Sequence, residues 1–139
     1  MNIEIFALGQ APIRLTGIQA TLQGTDGEFT VLPGHAALMG TLAIGVMEAV
    51  LEDGSERSIA VNGGFVEVSN DRLVVLTKTA EMGADIDLAR AEAAKSRAEE
   101  RLQAAHSNID LARAEVALKR ALMRIRASGG TLSRKTKSH

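Results

Sequence analysis

The feature that most constrains the fold of this 139-residue chain is a change of pattern at Asp85. Up to that point polar and apolar residues alternate in short runs punctuated by turn residues. From Ile86 to Ala127 there is no Gly, Pro or aromatic residue, and Ala, Leu, Arg and Glu dominate. Alternation with a period of two marks half-buried strands, whereas a long stretch of strong helix formers without breakers marks helix. A sheet part must therefore be followed by a helical part.

Strand-like runs occur at MNIEIFAL, GIQATLQG, GEFTVL, ALMGTLAIGVMEAVLE, RSIAV, GFVEV and RLVVLTK. The pairs Asp26-Gly27, Pro33-Gly34, Asp53-Gly54 and Asn62-Gly63 lie between them, where turns favour Gly, Asn or Pro. Short strands at this spacing predict a small antiparallel sandwich or barrel. Two helices are predicted beyond it, from Ile86 to about Ala105 and from about Ile109 to Ala127. The short link at His106, Ser107 and Asn108 makes them antiparallel neighbours. The expected organisation is α+β: a sandwich over residues 1–85, a helical hairpin over 86–127, and a frayed basic tail over 128–139.

The seven residues IDLARAE occur twice, at Ile86 to Glu92 and at Ile109 to Glu115. Each copy falls at a predicted helix start, where an Asp can cap free amides and complement the helix dipole. The facing surfaces of the hairpin are rich in Ala: Ala91, Ala94, Ala98 and Ala105 on one helix, Ala114, Ala117 and Ala121 on the other. Burial yields about 0.8 kcal/mol per CH2 group, so an Ala seam holds less firmly than a Leu seam. Two outcomes suit such a seam: a rigid close-packed hairpin, or one that leaves its folded position at modest cost.

Charge is distributed unevenly. Residues 1–85 carry 11 acidic against 4 Lys or Arg side chains, net -7, and residues 86–139 carry 6 against 12, net +6. The helical part should attract acidic partners. Several function classes find no support. There is no Cys for a disulfide, a thiolate nucleophile or a sulfur-based zinc site, and no apolar run of the roughly 18 to 20 residues that span a membrane. The start has neither the signal-peptide nor the transit-peptide pattern, so a soluble protein retained in a reducing compartment is expected. His35, His106 and His139 do not have ligand or triad spacing. Phe6, Phe29 and Phe65 are the only aromatics, too few to interleave with a basic stripe for nucleic acid. The segment GGTLSRKT, starting at Gly129, imitates a phosphate loop, but Arg134 stands where the second Gly belongs and a helix precedes it.

Folding the hairpin about position 106 sets Arg90 opposite the segment from Arg120 to Arg124, with Arg97 two turns along. Clustered guanidinium groups repel unless an anion lies among them. One reading is a phosphate ligand held by these arginines, with Glu81 and Asp87 accepting hydrogen bonds from its other groups. The other has Glu92, Glu99, Glu100 and Glu115 neutralising them as weak surface pairs.

Taken in order, GTDGEFTVLPGHAAL, VNGGFVEVSNDRLVVLTKTAE and IDLARAEAAKSRAEERL resemble the epsilon subunit of bacterial F-type ATP synthases, over roughly Met1 to Ala127. Ala37 stands where that family often has Pro. The resemblance implies an N-terminal β-sandwich, a C-terminal helical hairpin, and a non-catalytic subunit of the central stalk. The sandwich would contact the gamma subunit and the rotor c-ring, with Glu28, Pro33, Gly34 and His35 beside the ring. The helices, through basic residues such as Lys119 and Arg126, would reach the alpha/beta catalytic head and hinder ATP hydrolysis. No cofactor is required. A regulatory ATP is implied by the family motif of Ile or Leu, Asp, two variable residues, Arg and Ala, matched by Ile86, Asp87, Arg90 and Ala91. Supporting positions match at Glu81, Arg97, Arg120 and Arg124. The resemblance further implies a peripheral location, through the complex, at the cytoplasmic face of the bacterial inner membrane. Two other classes compete: a free-standing nucleotide-sensing module that binds some other protein, and an enzyme, for which no catalytic constellation is present.

Overall fold

A computed structural model describes residues 1–129, and all but the first two residues of the tail expected over 128–139 lie outside the described residues. Seven strands come first: β1 Asn2–Ala7, β2 Ile13–Gly24, β3 Gly27–Val31, β4 Leu38–Leu51, β5 Glu56–Ser69, β6 Arg72–Thr77 and β7 Ala80–Met82. A single 3-10 turn, Gly83–Asp85, leads into α1, Leu88–Gln103, and α2, Asn108–Ala127. The architecture is the expected one, a β-sandwich followed by an antiparallel helical hairpin.

The strands run in the order β1-β6-β5-β4-β2-β3, with β7 paired to β5. β1 closes the sandwich by pairing parallel to β6 (Asn2 with Arg72, Ala7 with Thr77) and antiparallel to β2 (Asn2 with Thr16). Glu4 clasps this seam from the middle, accepting from Arg14 Nε at 3.0 Å and from Arg72 Nε at 2.6 Å. The Arg72 hydrogen bond, then that of Arg14, hold its carboxyl below the usual carboxylate value. Inside, Ile3, Ile5, Leu22, Val31, Met47, Ile59, Val68, Leu73 and Val75 are fully buried. Their alternation along each strand is the period that the sequence displays.

Two expectations about the sheet need correcting. RSIAV and GFVEV are one strand, not two: β5 runs through Asn62-Gly63, keeping its pairing with β4 on both sides (Ile44 with Asn62, Leu42 with Gly64). Gly63 and Gly64 both have positive φ, 71° and 116°, so they bend the strand where a turn is expected. A Cβ at Gly64 would collide with the carbonyl of Leu76 on β6, so the bend also needs a residue without a side chain. The second correction is β7, three residues that the sequence reading passes over. It pairs Ala80, Glu81 and Met82 with Val61, Ala60 and Ile59.

The hairpin lies against the sandwich through α2, which packs on β4 and β5. The contact has its own small core of Ala60, Ile86, Ala91, Ile125 and Ala127, flanked by Val46. Burying an Ile side chain contributes about 1.5–3 kcal/mol, so Ile86 and Ile125 supply most of the apolar adhesion. Gly83 sets the closeness of approach. A Cβ there would collide with the carbonyl oxygen of Ala127 and stand 3.1 Å from that of Ser58. Between the helices, Ala91 and Ala98 on α1 and Ala114 and Ala121 on α2 are buried, while Ala94, Ala105 and Ala117 are half-buried. No helix among the described residues is long and apolar enough to cross a membrane.

Candidate functional site

The two copies of IDLARAE enter their helices differently. Asp87 is the N-cap of α1, and its carboxylate accepts from the amide of Arg90 at 3.1 Å. Ile86 before it is extended and buried, so α1 starts at Leu88, two residues later than predicted. For the second copy the N-cap is Ser107, two residues ahead of it, whose hydroxyl accepts from the amide of Asp110 at 3.1 Å. Asp110 therefore lies inside the first turn of α2, where it complements the dipole without capping. Ile109 is 65% exposed, in contrast to Ile86 at 9%. The same seven residues thus serve the sandwich contact once and an ordinary helix start once.

Four arginines converge on the hairpin. Arg97 and Arg101 of α1 and Arg120 and Arg124 of α2 line a groove of about 300 Å³ floored by Ala94, Ala98, Ala117 and Ala121. The i, i+4 spacing on each helix puts both guanidinium groups on one face, and the small Ala side chains leave the space between them. Arg124 also reaches the sandwich. It donates from Nε to Oε1 of Glu81 at 2.7 Å and from Nη2 to Oε2 at 3.1 Å, a bidentate pair between α2 and β7.

Of the residues singled out in the sequence, Arg97, Arg120 and Arg124 line this one groove, and Glu81 adjoins it through its pair with Arg124. Ile86 and Ala91 are buried in the core between hairpin and sandwich, and Asp87 is engaged as a cap. Arg90 is exposed and is not among the residues that line the groove; it lies on the same helical face, one turn before Ala94. Arg101 does line it and is missing from the sequence reading. The signal was present, since Arg101 follows Arg97 by one helical turn. Among the described residues no carboxylate lies within 4 Å of Arg97, Arg101 or Arg120, so the surface pairs expected with Glu92, Glu99, Glu100 and Glu115 do not form. The described residues contain no group of three or more His, Cys, Asp or Glu placed to hold a metal ion.

Elsewhere, the turn at Pro33 to His35 is exposed, with the amide of His35 donating to the carbonyl of Leu32 at 3.1 Å. Glu28 is exposed on β3, as is Lys119 on α2, whereas Arg126 is half-buried. A sequence-silent feature lies on the outer face of β4, β5 and β6. Met39, Phe65 and Leu76 are 78%, 62% and 51% exposed and line an apolar groove of about 470 Å³.

A family model described as the ATP synthase delta/epsilon chain β-sandwich domain matches residues 18–83. A second, described as the delta/epsilon chain long α-helix domain, matches residues 84–129. The chain belongs to the ATP synthase delta/epsilon family. Within this family the ATP synthase epsilon chain of Lawsonia intracellularis is 46% identical over 108 residues, covering 78% of this chain and 80% of that one. The epsilon chain of Pelotomaculum thermopropionicum is 50% identical over 79 residues, 57% of this chain and 58% of its own. The matched stretch spans about three fifths of several such relatives. The fold is shared with a chain of the Euglena gracilis mitochondrial ATP synthase assembly of OSCP, F1 and c-ring, at a TM-score of 0.75 and 22% identity, over 91% of this chain and 79% of that one. The delta/epsilon family is thus recognisable across both parts, sandwich and hairpin.

Proposed function

We propose that this chain is a non-catalytic subunit of the central stalk of a bacterial F-type ATP synthase, and that its hairpin is an ATP-sensing brake on hydrolysis. Membership of the family supports the first part, together with relatives named ATP synthase epsilon chain. The exposed apolar groove at Met39, Phe65 and Leu76 is the surface through which the sandwich seats on the gamma subunit, since patches of this kind mark protein contacts. The turn carrying Pro33, Gly34 and His35, with Glu28 on β3, faces the rotor c-ring. The complex then holds the chain at the cytoplasmic face of the inner membrane. It serves coupling of proton or sodium flow to ATP synthesis.

The observation that carries the regulatory part is the bidentate Arg124–Glu81 pair, which fastens the hairpin beside a groove whose other arginines lack carboxylate partners among the described residues. A triphosphate between Arg97, Arg120 and Arg124 relieves their mutual repulsion only while the helices are folded together. A ligand that binds one state alone stabilises it by RT ln(1 + [L]/Kd), about 2.7 kcal/mol at a hundredfold excess over Kd. That exceeds what one partly exposed ion pair supplies. With ATP plentiful the hairpin stays down; with ATP scarce it rises, and its basic face, including Lys119 and Arg126, engages the alpha/beta head.

Reconstitution tests this. The chain should capture the gamma subunit of its own complex, and deleting residues 86–139 should raise ATP hydrolysis by that complex at low ATP. No capture of gamma would support a free-standing nucleotide-sensing module instead, and unchanged hydrolysis would remove the brake.

A further inference from the structure

The arginine groove does not stop at Arg101. A second groove of about 280 Å³ continues from it along the same face of the hairpin, lined by Arg101, Ala104, Ala105, Asp110, Arg113 and Ala114. Arg101 belongs to both grooves. The lining positions follow the i, i+3, i+4, i+7 pattern on each helix, 94, 97, 98, 101, 104 and 105 on α1 and its end, 110, 113, 114, 117, 120, 121 and 124 on α2, so both grooves share one helical face.

The result is a ladder of five guanidinium groups: Arg124, Arg120, Arg97, Arg101 and Arg113. At 1.5 Å per residue, the separation of Arg113 from Arg124 on α2 spans roughly 16 Å. A triphosphate is shorter than this and leaves the outer rungs without an anion. Asp110 is the one carboxylate in the outer lining, and no ion pair within 4 Å joins it to Arg101 or Arg113 among the described residues. The inner lining holds only Arg and Ala, with no aromatic ring to stack on a base and no amide to read one. Its selectivity therefore lies in the number and spacing of negative charges.

We propose that Arg101 and Arg113 form a second anion subsite continuous with the inner one, so that the whole groove accepts a linear polyphosphate longer than a triphosphate. The inner half rests on the nucleotide reading above; the outer half is new. Arg101 is the shared rung and fixes where the chain passes from one subsite to the next.

The test uses the full chain, isotopically labelled, titrated with tripolyphosphate, long-chain linear polyphosphate and ATP while backbone amides are followed by NMR. Tripolyphosphate should shift residues around Arg97, Arg120 and Arg124, and only the long chain should also shift residues 101–105 and 110–114. The long chain should bind at least about tenfold more tightly, the scale of one added charge-assisted contact. Arg113→Ala should remove that advantage and leave tripolyphosphate affinity unchanged. Lys95→Ala removes the same charge from α1 away from the groove lining, and it should leave the advantage intact. Equal losses in the two variants, or long-chain shifts confined to the inner residues, would overturn the outer subsite. If ATP and tripolyphosphate bind while the long chain gains nothing, only this inference fails; if no phosphate shifts the inner residues, the nucleotide reading falls with it.

Discussion

Arg124 of α2 holds Glu81 of β7 through two hydrogen bonds, at 2.7 and 3.1 Å, and this is the ion pair between hairpin and sandwich among the described residues. Both side chains are about one-third exposed, so solvent screens the attraction. The pair acts as a latch on a contact whose adhesion is mostly apolar. Glu81→Gln should weaken docking by about 0.5–1 kcal/mol. Amide hydrogen exchange near the end of α2 should then quicken a few-fold, while strands of the sandwich exchange as before. Unchanged exchange in α2 would show that the pair contributes nothing to docking.

Gly83 gives a sharper lever on the same contact. A side chain there meets the carbonyl of Ala127, which is backbone and cannot swing away. Gly83→Ala should loosen the hairpin by about 1–3 kcal/mol, the usual range for forced overpacking. A disulfide or fluorescence probe between α2 and β5 should report the separation, with the melting of the sandwich itself little changed. Retention of the close approach would mean the 3-10 turn can shift without moving α2.

Ile125 tests the apolar share. It is 7% exposed and packs in the small core with Ile86, Ala60, Ala91 and Ala127. Ile125→Ala should destabilise docking by about 2–4 kcal/mol, more than Glu81→Gln. Equal effects of the two substitutions would place the adhesion in the ion pair instead.

Acid should open the sandwich at its closing seam. The folded-state pKa of Glu4 lies below its ordinary value of 4.5, first through the hydrogen bond from Arg72 and then through that from Arg14. A depressed carboxylate stabilises the fold above the unfolded-state pKa, and that stability is lost as pH falls through the folded-state pKa. The melting temperature of the unaltered protein should exceed that of Glu4→Gln near neutral pH, and the two should converge as pH drops below 4.5. A constant difference across that range would contradict the clasp.

How much of this was legible in the sequence depends on which interactions decide each feature. Local patterns gave the strands, the Asp53-Gly54 turn and both helices, since alternation and breaker-free Ala/Leu/Arg/Glu runs carry their own periods. Tertiary pairing defeated local pattern at Asn62-Gly63, where the β4 ladder holds β5 together through two glycines. The turn at Asn70 and Asp71, both with positive φ, went unremarked although Asn and Asp tolerate that region. At the site, the sequence placed Arg97, Arg120 and Arg124 together because helical spacing is rigid. Arg101 joins them one turn beyond Arg97 on the same face, a position the hairpin sum rule does not single out because it fixes only which turns face each other. The apolar groove at Met39, Phe65 and Leu76 had no signal at all. Those residues come from three strands and meet only through the sheet register.

The most direct test of the hairpin as an ATP-sensing element needs this chain alone: backbone amides followed by NMR during titration with ATP, in the unaltered protein and in Arg97→Ala and Arg120→Ala. Saturable shifts around Arg97, Arg120 and Arg124, with slowed hydrogen exchange along α2 and loss of both effects in the variants, are expected. A flat titration up to millimolar ATP, or equal shifts in the variants, would contradict it and leave the arginine groove to other anions or to partner subunits.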